Sequence, residues 1–267
     1  MNKLSILVRL LAYALTNPKV GRQMFAAKYQ SWLDSKHSVF NYAEKSELGQ
    51  IIKELFPDFQ YTIDEFSENT NKLQDHSDKF FDQLKAERYP SKKKPYPLDY
   101  TLDNQSGLFL YTLCKIIKPE RVVETGVAYG LSSMYILQAL FENKKGTLYS
   151  IDSIFSPWES KEMIGSAIPT HLHNNWNFVL GSSSEKLEEL LSSLNSVDIF
   201  FHDSMHTYKN MIFEFNTVWS YIVKGGFLLS DDISNNNAFY DFYSKINVNP
   251  FILSRNDKSL LGILKKP

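Results

Sequence analysis

The chain has 267 residues, of which 43% are hydrophobic and 22% are charged, so it can build an ordinary core and is not a disordered composition. Its 29 basic and 30 acidic residues give a formal net charge of −1, which argues against a nucleic-acid partner. The single cysteine, Cys114, excludes an intrachain disulfide and favours a reducing compartment such as the cytoplasm. Its apolar neighbours predict a buried structural thiol rather than a nucleophile.

Residues 1–16 form an apolar stretch that Arg9 interrupts and that is too short to span a bilayer. Three interpretations stay open for this segment. It could pack on the rest of the chain as an amphipathic helix, contact a membrane surface peripherally, or act as a cleaved signal peptide. Of these we expect packing.

Residues 46–56 and 71–87 have apolar side chains at three- and four-residue spacing, which predicts two helices, the first capped by Ser46. The segment RYPSKKKPYPLDY then breaks any helix with three prolines and three lysines. We interpret its lysine run, Lys92–Lys94, as a solvated linker rather than a phosphate-binding patch. The sequence thus predicts a helical N-terminal extension, 1–95, and a second domain, 96–267.

Strands and helices alternate after this boundary. We predict helices at 105–117, 131–143, 184–194, 207–223 and 237–246 and strands at 121–126, 147–152, 176–181, 197–203 and 227–233. Two final strands, 250–255 and 260–266, are separated by only four residues and must be antiparallel. The pattern predicts an α/β fold with a doubly wound, mostly parallel seven-stranded sheet of the Rossmann-like type and a C-terminal antiparallel hairpin.

The stretch VVETGVAYGLSS joins a strand to a helix through Glu124, Gly126 and Gly130. Glycines allow a tight turn and a close approach to a ligand at the helix N-terminus, and Glu124 suits a cationic ligand group. The spacing differs from the dinucleotide fingerprint G-x-G-x-x-G, and a purely structural turn is the alternative. Asp152 ends the next strand, where doubly wound folds place an acid on ribose hydroxyls, although it could instead cap a helix.

Asp203 ends one strand, and Asp231 and Asp232 end the next. Ligands bind beyond the carboxyl ends of such strands, so these three carboxylates would share one crevice and repel each other unless a cation or a proton intervenes. Hard oxygen ligands suit Mg²⁺ or Ca²⁺; the alternative is a helix-capping aspartate without metal. We expect His206 on the first turn of the next helix, as a general base or as a histidine that only forms a hydrogen bond.

Five strings occur in a characteristic order: KPERVVETGVAYGLSS, LYSID, VLGSSSEKLEEL, DIFFHDSMHTY and GGFLLSDDI. With them the chain resembles class I S-adenosylmethionine-dependent methyltransferases, within these methyltransferase family 24 and the bacterial sugar and macrolide O-methyltransferases. Catechol-type relatives have a lysine where this chain has His206 and an asparagine where it has Asp232.

The resemblance implies that Glu124, Gly126 and Ser132 surround the methionine moiety of S-adenosylmethionine and that Asp152 binds its ribose. It also implies that Gly181 and Ser182 lie beside the adenine, although relatives often have an aspartate in place of Ser182. The cofactor-binding residues expected from sequence are therefore Glu124, Gly126, Gly130, Ser132, Asp152, Gly181 and Ser182.

The sequence favours Mg²⁺-assisted O-methylation of a sugar or secondary-metabolite hydroxyl, with Asp203 and His206 catalytic and Asp203, Asp231 and Asp232 as metal ligands. An NAD-dependent oxidoreductase or a non-catalytic cofactor-binding protein are the alternatives, and homo-oligomerisation is left open. We expect the N-terminal helices and the loop around Trp158 to cover the acceptor site. Truncating the first ninety residues should then damage acceptor turnover more than cofactor binding.

Overall fold

A computed structural model describes residues 3–37, 39–58, 63–95, 100–154, 158–256 and 259–267. Its helices are α1 (Lys3–Thr16), α2 (Pro18–Asp34), α3 (Leu48–Leu55), α4 (Ile63–Ala86), α5 (Asn104–Ile117), α6 (Leu131–Asn143), α7 (Ser183–Leu194), α8 (Tyr208–Trp219) and α9 (Ala238–Ile246). Its strands are β1 (Arg121–Thr125), β2 (Thr147–Asp152), β3 (Trp176–Leu180), β4 (Val197–His202), β5 (Ile222–Ser230), β6 (Phe251–Asn256) and β7 (Ser259–Lys265).

The strands form one sheet in the order β3-β2-β1-β4-β5-β7-β6. Strands β1 to β5 are parallel, whereas β7 is antiparallel to both β5 and β6. One buried cluster covers each face of the sheet, and Val122 and Val123 of β1 point into opposite clusters. The prediction of a doubly wound sheet with a C-terminal antiparallel hairpin is confirmed. Strands β1 to β5 therefore end at one common edge.

Two local features set the ends of helix α5. The carboxylate of Asp103 caps α5 by accepting from the backbone amides of Gln105 and Ser106, each at 3.0 Å. After α5 the residue Lys118 adopts a left-handed conformation, with φ +50°, and the chain enters β1.

Cys114 lies fully buried in α5, so the prediction of a buried thiol is confirmed. Burial also raises the pKa of this thiol.

Helix α3 belongs to the core of the sheet domain, because its buried side chains lie in the same cluster as those of β1 and α6. The cap predicted at Ser46 is wrong. Glu47 precedes α3, and the Ser46 amide instead donates to the carbonyl of Ile252 at 2.9 Å, in a bridge to the last hairpin. The domain boundary predicted at residue 95 adjoins residues 96–99, which lie outside the described residues, so this division stays a prediction.

The sequence placed the end of α8 and the start of β5 wrongly. Helix α8 ends at Trp219 instead of residue 223, and β5 begins at Ile222 and continues through Gly225. The pairing of β5 with β4 shifts register at this point, and Gly225, with φ +78°, absorbs the irregularity. A glycine pair that usually indicates a turn is here a bulge inside a strand.

Lys92 and Lys93 are exposed, as expected of a solvated linker, but the interpretation of the lysine run is wrong for Lys94. Its side chain is buried, and Nζ donates to the carbonyl oxygens of Lys85 at 3.3 Å and Glu87 at 3.4 Å. One carbonyl lies in the last turn of α4 and the other just after it, where a helix leaves backbone acceptors without an intrahelical partner. Lys94 therefore closes α4, and no phosphate-binding role follows from it.

Candidate active site

The loop that joins β1 to α6 turns sharply at the common strand edge. Gly126, Ala128 and Gly130 all adopt positive φ, at +86°, +47° and +85°. A Cβ atom on Gly126 would lie 2.1 Å from the carbonyl oxygen of Asp203, and one on Gly130 would lie 2.6 Å from the side chain of Ile168. Glycine is required at both positions by conformation and by space.

Glu124 lies beneath this loop and is fully buried. Its carboxylate accepts from the hydroxyls of Ser132 and Ser133 at 2.6 Å each and from Ser150 at 2.8 Å. Burial raises the pKa of Glu124 to about 7, against the opposing effect of the three hydroxyls. The carboxylate therefore ties the start of α6 to β2. The structure brings the predicted pair Glu124 and Ser132 together; sequence reasoning missed the other two serines.

Asp152 orients the same loop from the end of β2. Its Oδ2 accepts from the amides of Val127 at 2.8 Å and Ala128 at 2.9 Å, and its Oδ1 accepts from the amide of Ser153 at 2.7 Å. Burial raises the pKa of Asp152, although these amides lower it. A carboxylate has about four acceptor sites, so about one stays available for a ligand.

Gly181 and Ser182 follow β3 and lie next to Asp152. The Gly181 amide donates to the Asp152 carbonyl oxygen at 2.9 Å. Ser182 caps α7: its amide and its hydroxyl both donate to Oε2 of Glu185, at 3.2 and 2.9 Å. The predicted adenine-side residues therefore adjoin the predicted ribose acid, and the Ser182 hydroxyl takes part in a capping box.

Asp203, His206 and Asp231, here called the acid–histidine cluster, meet at the ends of β4 and β5. One ligand atom from each of the three lies within 4.8 Å of the other two. Nε2 of His206 lies 3.7 Å from Oδ1 of Asp203. His206 precedes Thr207, the N-cap of α8, so the prediction that it lies on the first helical turn is wrong.

Asp232 lies outside the group of possible ligands among the described residues. It has a left-handed backbone, with φ +49°, before a short 3-10 helix, and its Oδ2 accepts from Asn235 Nδ2 at 3.4 Å. The structure thus assembles two of the three predicted metal ligands and places His206 where the third was expected. The three-carboxylate metal site stays a prediction that this geometry does not favour.

The cluster concentrates negative charge. Burial raises the pKa of Asp203 well above its usual range, and the charges of Asp231, Glu124 and Asp232 raise it further. The mutual repulsion of Asp203 and Asp231 is relieved either by a shared proton or by a cation. Two carboxylates at adjacent strand ends are donors that suit a hard divalent cation, whereas an imidazole suits Zn²⁺ or Fe²⁺ better.

A buried histidine–glutamate pair supports the cluster, and sequence reasoning missed it. His202 Nδ1 lies 2.7 Å from Oε2 of Glu214, and neither side chain is exposed. Burial opposes ionisation of Glu214, but the charge of His202 and the hydrogen bonds lower the pKa of Glu214 to about 2. The carboxylate also accepts from Thr125 Oγ1 at 2.6 Å and Ser204 Oγ at 2.8 Å, which joins β1 and the Asp203 turn to α8.

Helix α4 covers the far side of the glycine loop. The ring of Tyr129, between Gly126 and Gly130, packs edge-to-face on Phe80 and Phe81, with centroid distances of 5.4 and 5.9 Å. The segment 158–169 lies against the same loop, since the Ala167 amide donates to the Tyr129 carbonyl oxygen at 2.9 Å. The N-terminal part of the chain therefore contacts the loop on which cofactor binding was predicted.

Comparisons with known proteins bear on the fold and on the family that the chain resembles. Residues 123–233 match the family model described as a methyltransferase domain. The solved structure of SAH-bound PaMTH1, a methyltransferase from Podospora anserina, aligns with a TM-score of 0.50 and 12% identity over 86% of this chain and 99% of that one. The chain therefore has the Rossmann-like fold of that structure, and its residues 123–233 resemble a methyltransferase domain, so the resemblance predicted from sequence is confirmed.

A curated relative is an uncharacterized protein of Acanthamoeba polyphaga mimivirus, 30% identical over 114 residues. The alignment covers 41% of this chain, and the chain spans about half the length of that relative. None of the described helices is long and apolar enough to cross a membrane.

Proposed function

We propose that this chain is an S-adenosylmethionine-dependent O-methyltransferase that acts on a hydroxyl of a small molecule, such as a sugar or a secondary metabolite. One observation carries the proposal. The acid–histidine cluster, which suits an acceptor hydroxyl, lies beside the glycine loop and Asp152, at the same edge of the sheet. A methyl donor and a methyl acceptor could therefore meet at adjacent strand ends.

The donor occupies the ends of β1, β2 and β3 in this proposal. The remaining acceptor site of Asp152 receives a ribose hydroxyl, and Gly181 and Ser182 border the adenine. Glu124, with its pKa near 7, becomes ionised when a cationic group such as a sulfonium or an ammonium comes close, because an opposite charge lowers the pKa of a carboxyl group. A pocket without a titratable carboxyl group could not gain a negative charge in this way.

The transfer is a direct displacement. The acceptor oxygen attacks the methyl carbon, the bond from that carbon to sulfur breaks, and S-adenosylhomocysteine leaves with the electron pair. The hydroxyl proton passes to His206, and Asp203, 3.7 Å from its Nε2, stabilises the protonated imidazole. The chain's contribution is positioning and a proton acceptor.

Asp203 and Asp231 would hold a divalent cation such as Mg²⁺. The donor chemistry fits, since the two carboxylates approach each other closely and burial with like charge raises the pKa of Asp203. A bound cation lowers the pKa of a hydroxyl that it contacts. His206 then serves as the base rather than as a ligand, because a coordinated nitrogen has no lone pair for a proton. We assign the protein to the cytoplasm, in line with its free buried thiol.

Binding and turnover test the proposal separately. Titration calorimetry with S-adenosylmethionine, S-adenosylhomocysteine and NAD should give heat for the first two only. Transfer of a labelled methyl group to a panel of hydroxylated sugars and phenols should then require Mg²⁺ and stop in EDTA. His206→Ala should slow transfer by about 10²–10⁴-fold with cofactor affinity kept. The exposed carboxylate of α4 supplies a control, Asp82→Asn, which should change neither.

Each alternative has its own result. Heat with NAD and none with S-adenosylmethionine identifies an oxidoreductase. Cofactor binding without transfer to any acceptor supports a binding protein. Full activity in excess EDTA removes the cation from the mechanism and leaves His206 to act alone.

A further inference from the structure

Helices α1 and α2 form a helical hairpin at the N-terminus. The two helices approach closely, since a Cβ atom on Gly21 of α2 would lie 2.7 Å from the carbonyl oxygen of Ala14. The hairpin joins the domain at its far end, where Asp34 Oδ2 accepts from the amide of Tyr208 at 2.9 Å. Residues Leu10, Tyr13 and Ala14 are half-buried and form the side of α1 that faces α2.

The adjoining side of α1 is apolar and exposed. Leu7, Val8, Leu11 and Leu15 fall within one face of the helix by their spacing and are 52% to 84% exposed. A helix that is apolar on both sides needs a second partner besides the one it already has. The half-buried side of α1 packs on α2. Its exposed apolar side has no packing partner among the described residues.

Helix α2 has an aromatic face of Phe25, Tyr29 and Trp32, at positions i, i+4 and i+7. These rings are 47% to 74% exposed, and they stack along the helix with centroid distances of 6.3 and 5.6 Å. The exposed cations Arg22 and Lys28 lie on either side of this face by helical spacing. Aromatic rings flanked by cations are typical of segments at the boundary of a bilayer.

The charged residues of the helical hairpin are basic up to residue 33. Residues 1–33 contain five basic residues and no acidic residue, although the whole chain has more acidic than basic residues. A second copy docked symmetrically through this surface would place these cations against their own counterparts, which repel. An anionic surface has the complementary charge.

We propose that the helical hairpin binds the surface of a membrane that contains anionic phospholipids. The apolar face of α1 and the aromatic face of α2 enter the headgroup boundary, and the cations contact lipid phosphates and carboxylates. Two signals, apolar insertion and charge, act together, which makes the attachment dependent on both lipid charge and salt. Packing on the rest of the chain was expected for residues 1–16; the proposal instead takes up the alternative of peripheral membrane contact and extends it to both helices, and it does not depend on methyl transfer.

Vesicle flotation with the full-length protein tests this directly. We expect binding to vesicles of equal parts phosphatidylcholine and phosphatidylserine and little to phosphatidylcholine alone, with a loss at high salt. The triple variant Phe25→Ser, Tyr29→Ser, Trp32→Ser should lose binding on the order of tenfold or more. Its matched control is Phe141→Ser, an exposed aromatic residue on α6.

Charge is tested by Lys19→Glu with Lys28→Glu, which should weaken binding by about fivefold or more for each substitution, because each removes a cation and adds an anion. Lys53→Glu with Lys79→Glu, on the exposed sides of α3 and α4, should have no effect. All these variants should melt as the wild type does, because the side chains are exposed. Absence of binding to charged vesicles overturns the proposal. So does a triple variant that changes the mass measured by light scattering and leaves vesicle binding unchanged, since the hairpin then contacts a second copy.

Discussion

Glu124 shows at the scale of one side chain how the site can respond to charge. Three serine hydroxyls point at a carboxylate without solvent access, and burial brings its pKa to about 7. The folded state therefore holds the proton more tightly than the unfolded chain does. The contribution of this residue to the free energy of unfolding then falls as pH rises between the two pKa values, and it is constant above the higher one.

We expect Glu124→Gln to gain stability relative to the wild type as pH rises. The rise of the Glu124 pKa from 4.5 to about 7 corresponds to about 3 kcal/mol across the pH range between these two values. The unfolding free energy of the variant, relative to that of the wild type, should therefore rise by about this amount when the pH goes from below this range to above it. Urea titrations at both ends measure it. The exposed Glu188→Gln serves as the control; a difference for Glu124→Gln that does not change with pH would contradict the assignment.

The sequence allowed the residue types of the site to be predicted better than their contacts. Glu124, Asp152 and Asp203 were expected at strand ends and lie there, because a parallel sheet fixes that edge. The pair of His202 and Glu214 was missed, since His202 has the place of an apolar residue in a buried strand and its partner is twelve positions away on a helix. Only the packing of α8 on β4 joins them, and no local pattern indicates it.

At the scale of elements, two glycines with similar φ distinguish the cost of a left-handed backbone from the cost of a steric clash. Gly126 has φ +86° and would place a Cβ atom 2.1 Å from the carbonyl oxygen of Asp203, whereas Gly225 has φ +78° with nothing within 4 Å of a Cβ atom. Gly225→Ala should cost about 1 kcal/mol of unfolding free energy for the left-handed conformation alone. Gly126→Ala should cost more and should also abolish cofactor binding, because the Asp203 turn must move. Chemical denaturation and calorimetry with S-adenosylhomocysteine measure both; equal effects of the two substitutions would refute the steric argument.

Elements bounded by strong local signals were predicted closely, and those set by tertiary pairing were not. Helix α6 and strand β2 match the predicted ranges, because Gly130 and Gly146 mark their starts. Strand β5 begins five residues before the predicted start, since pairing with β4 overrides the turn preference of Gly225-Gly226. Likewise, the sequence pattern did not predict α2 as a helix of its own within the helical N-terminal segment.

At the scale of the whole molecule, the N-terminal part of the chain serves the sheet in two ways. The buried residues of α3 lie in the core beside β1 and α6, and α4 packs on the loop that holds Gly126 and Gly130. Removing the first ninety residues would therefore expose core surface, and the truncation expected to damage acceptor turnover more than cofactor binding would also damage folding. A point substitution on α4 is the sharper probe.

Phe80→Ala removes a ring that packs on Tyr129 at 5.4 Å and on Phe81 at 5.5 Å. The loss of packing should reduce the unfolding free energy by about 2 kcal/mol, less than for a fully buried phenylalanine. Because Tyr129 lies inside the glycine loop, the affinity for S-adenosylhomocysteine should fall on the order of tenfold. Phe25→Ala, an exposed ring on α2, is the matched control and should change neither quantity. If Phe80→Ala instead raises the KM for the acceptor at unchanged cofactor affinity, α4 acts on the acceptor side, as the sequence had suggested.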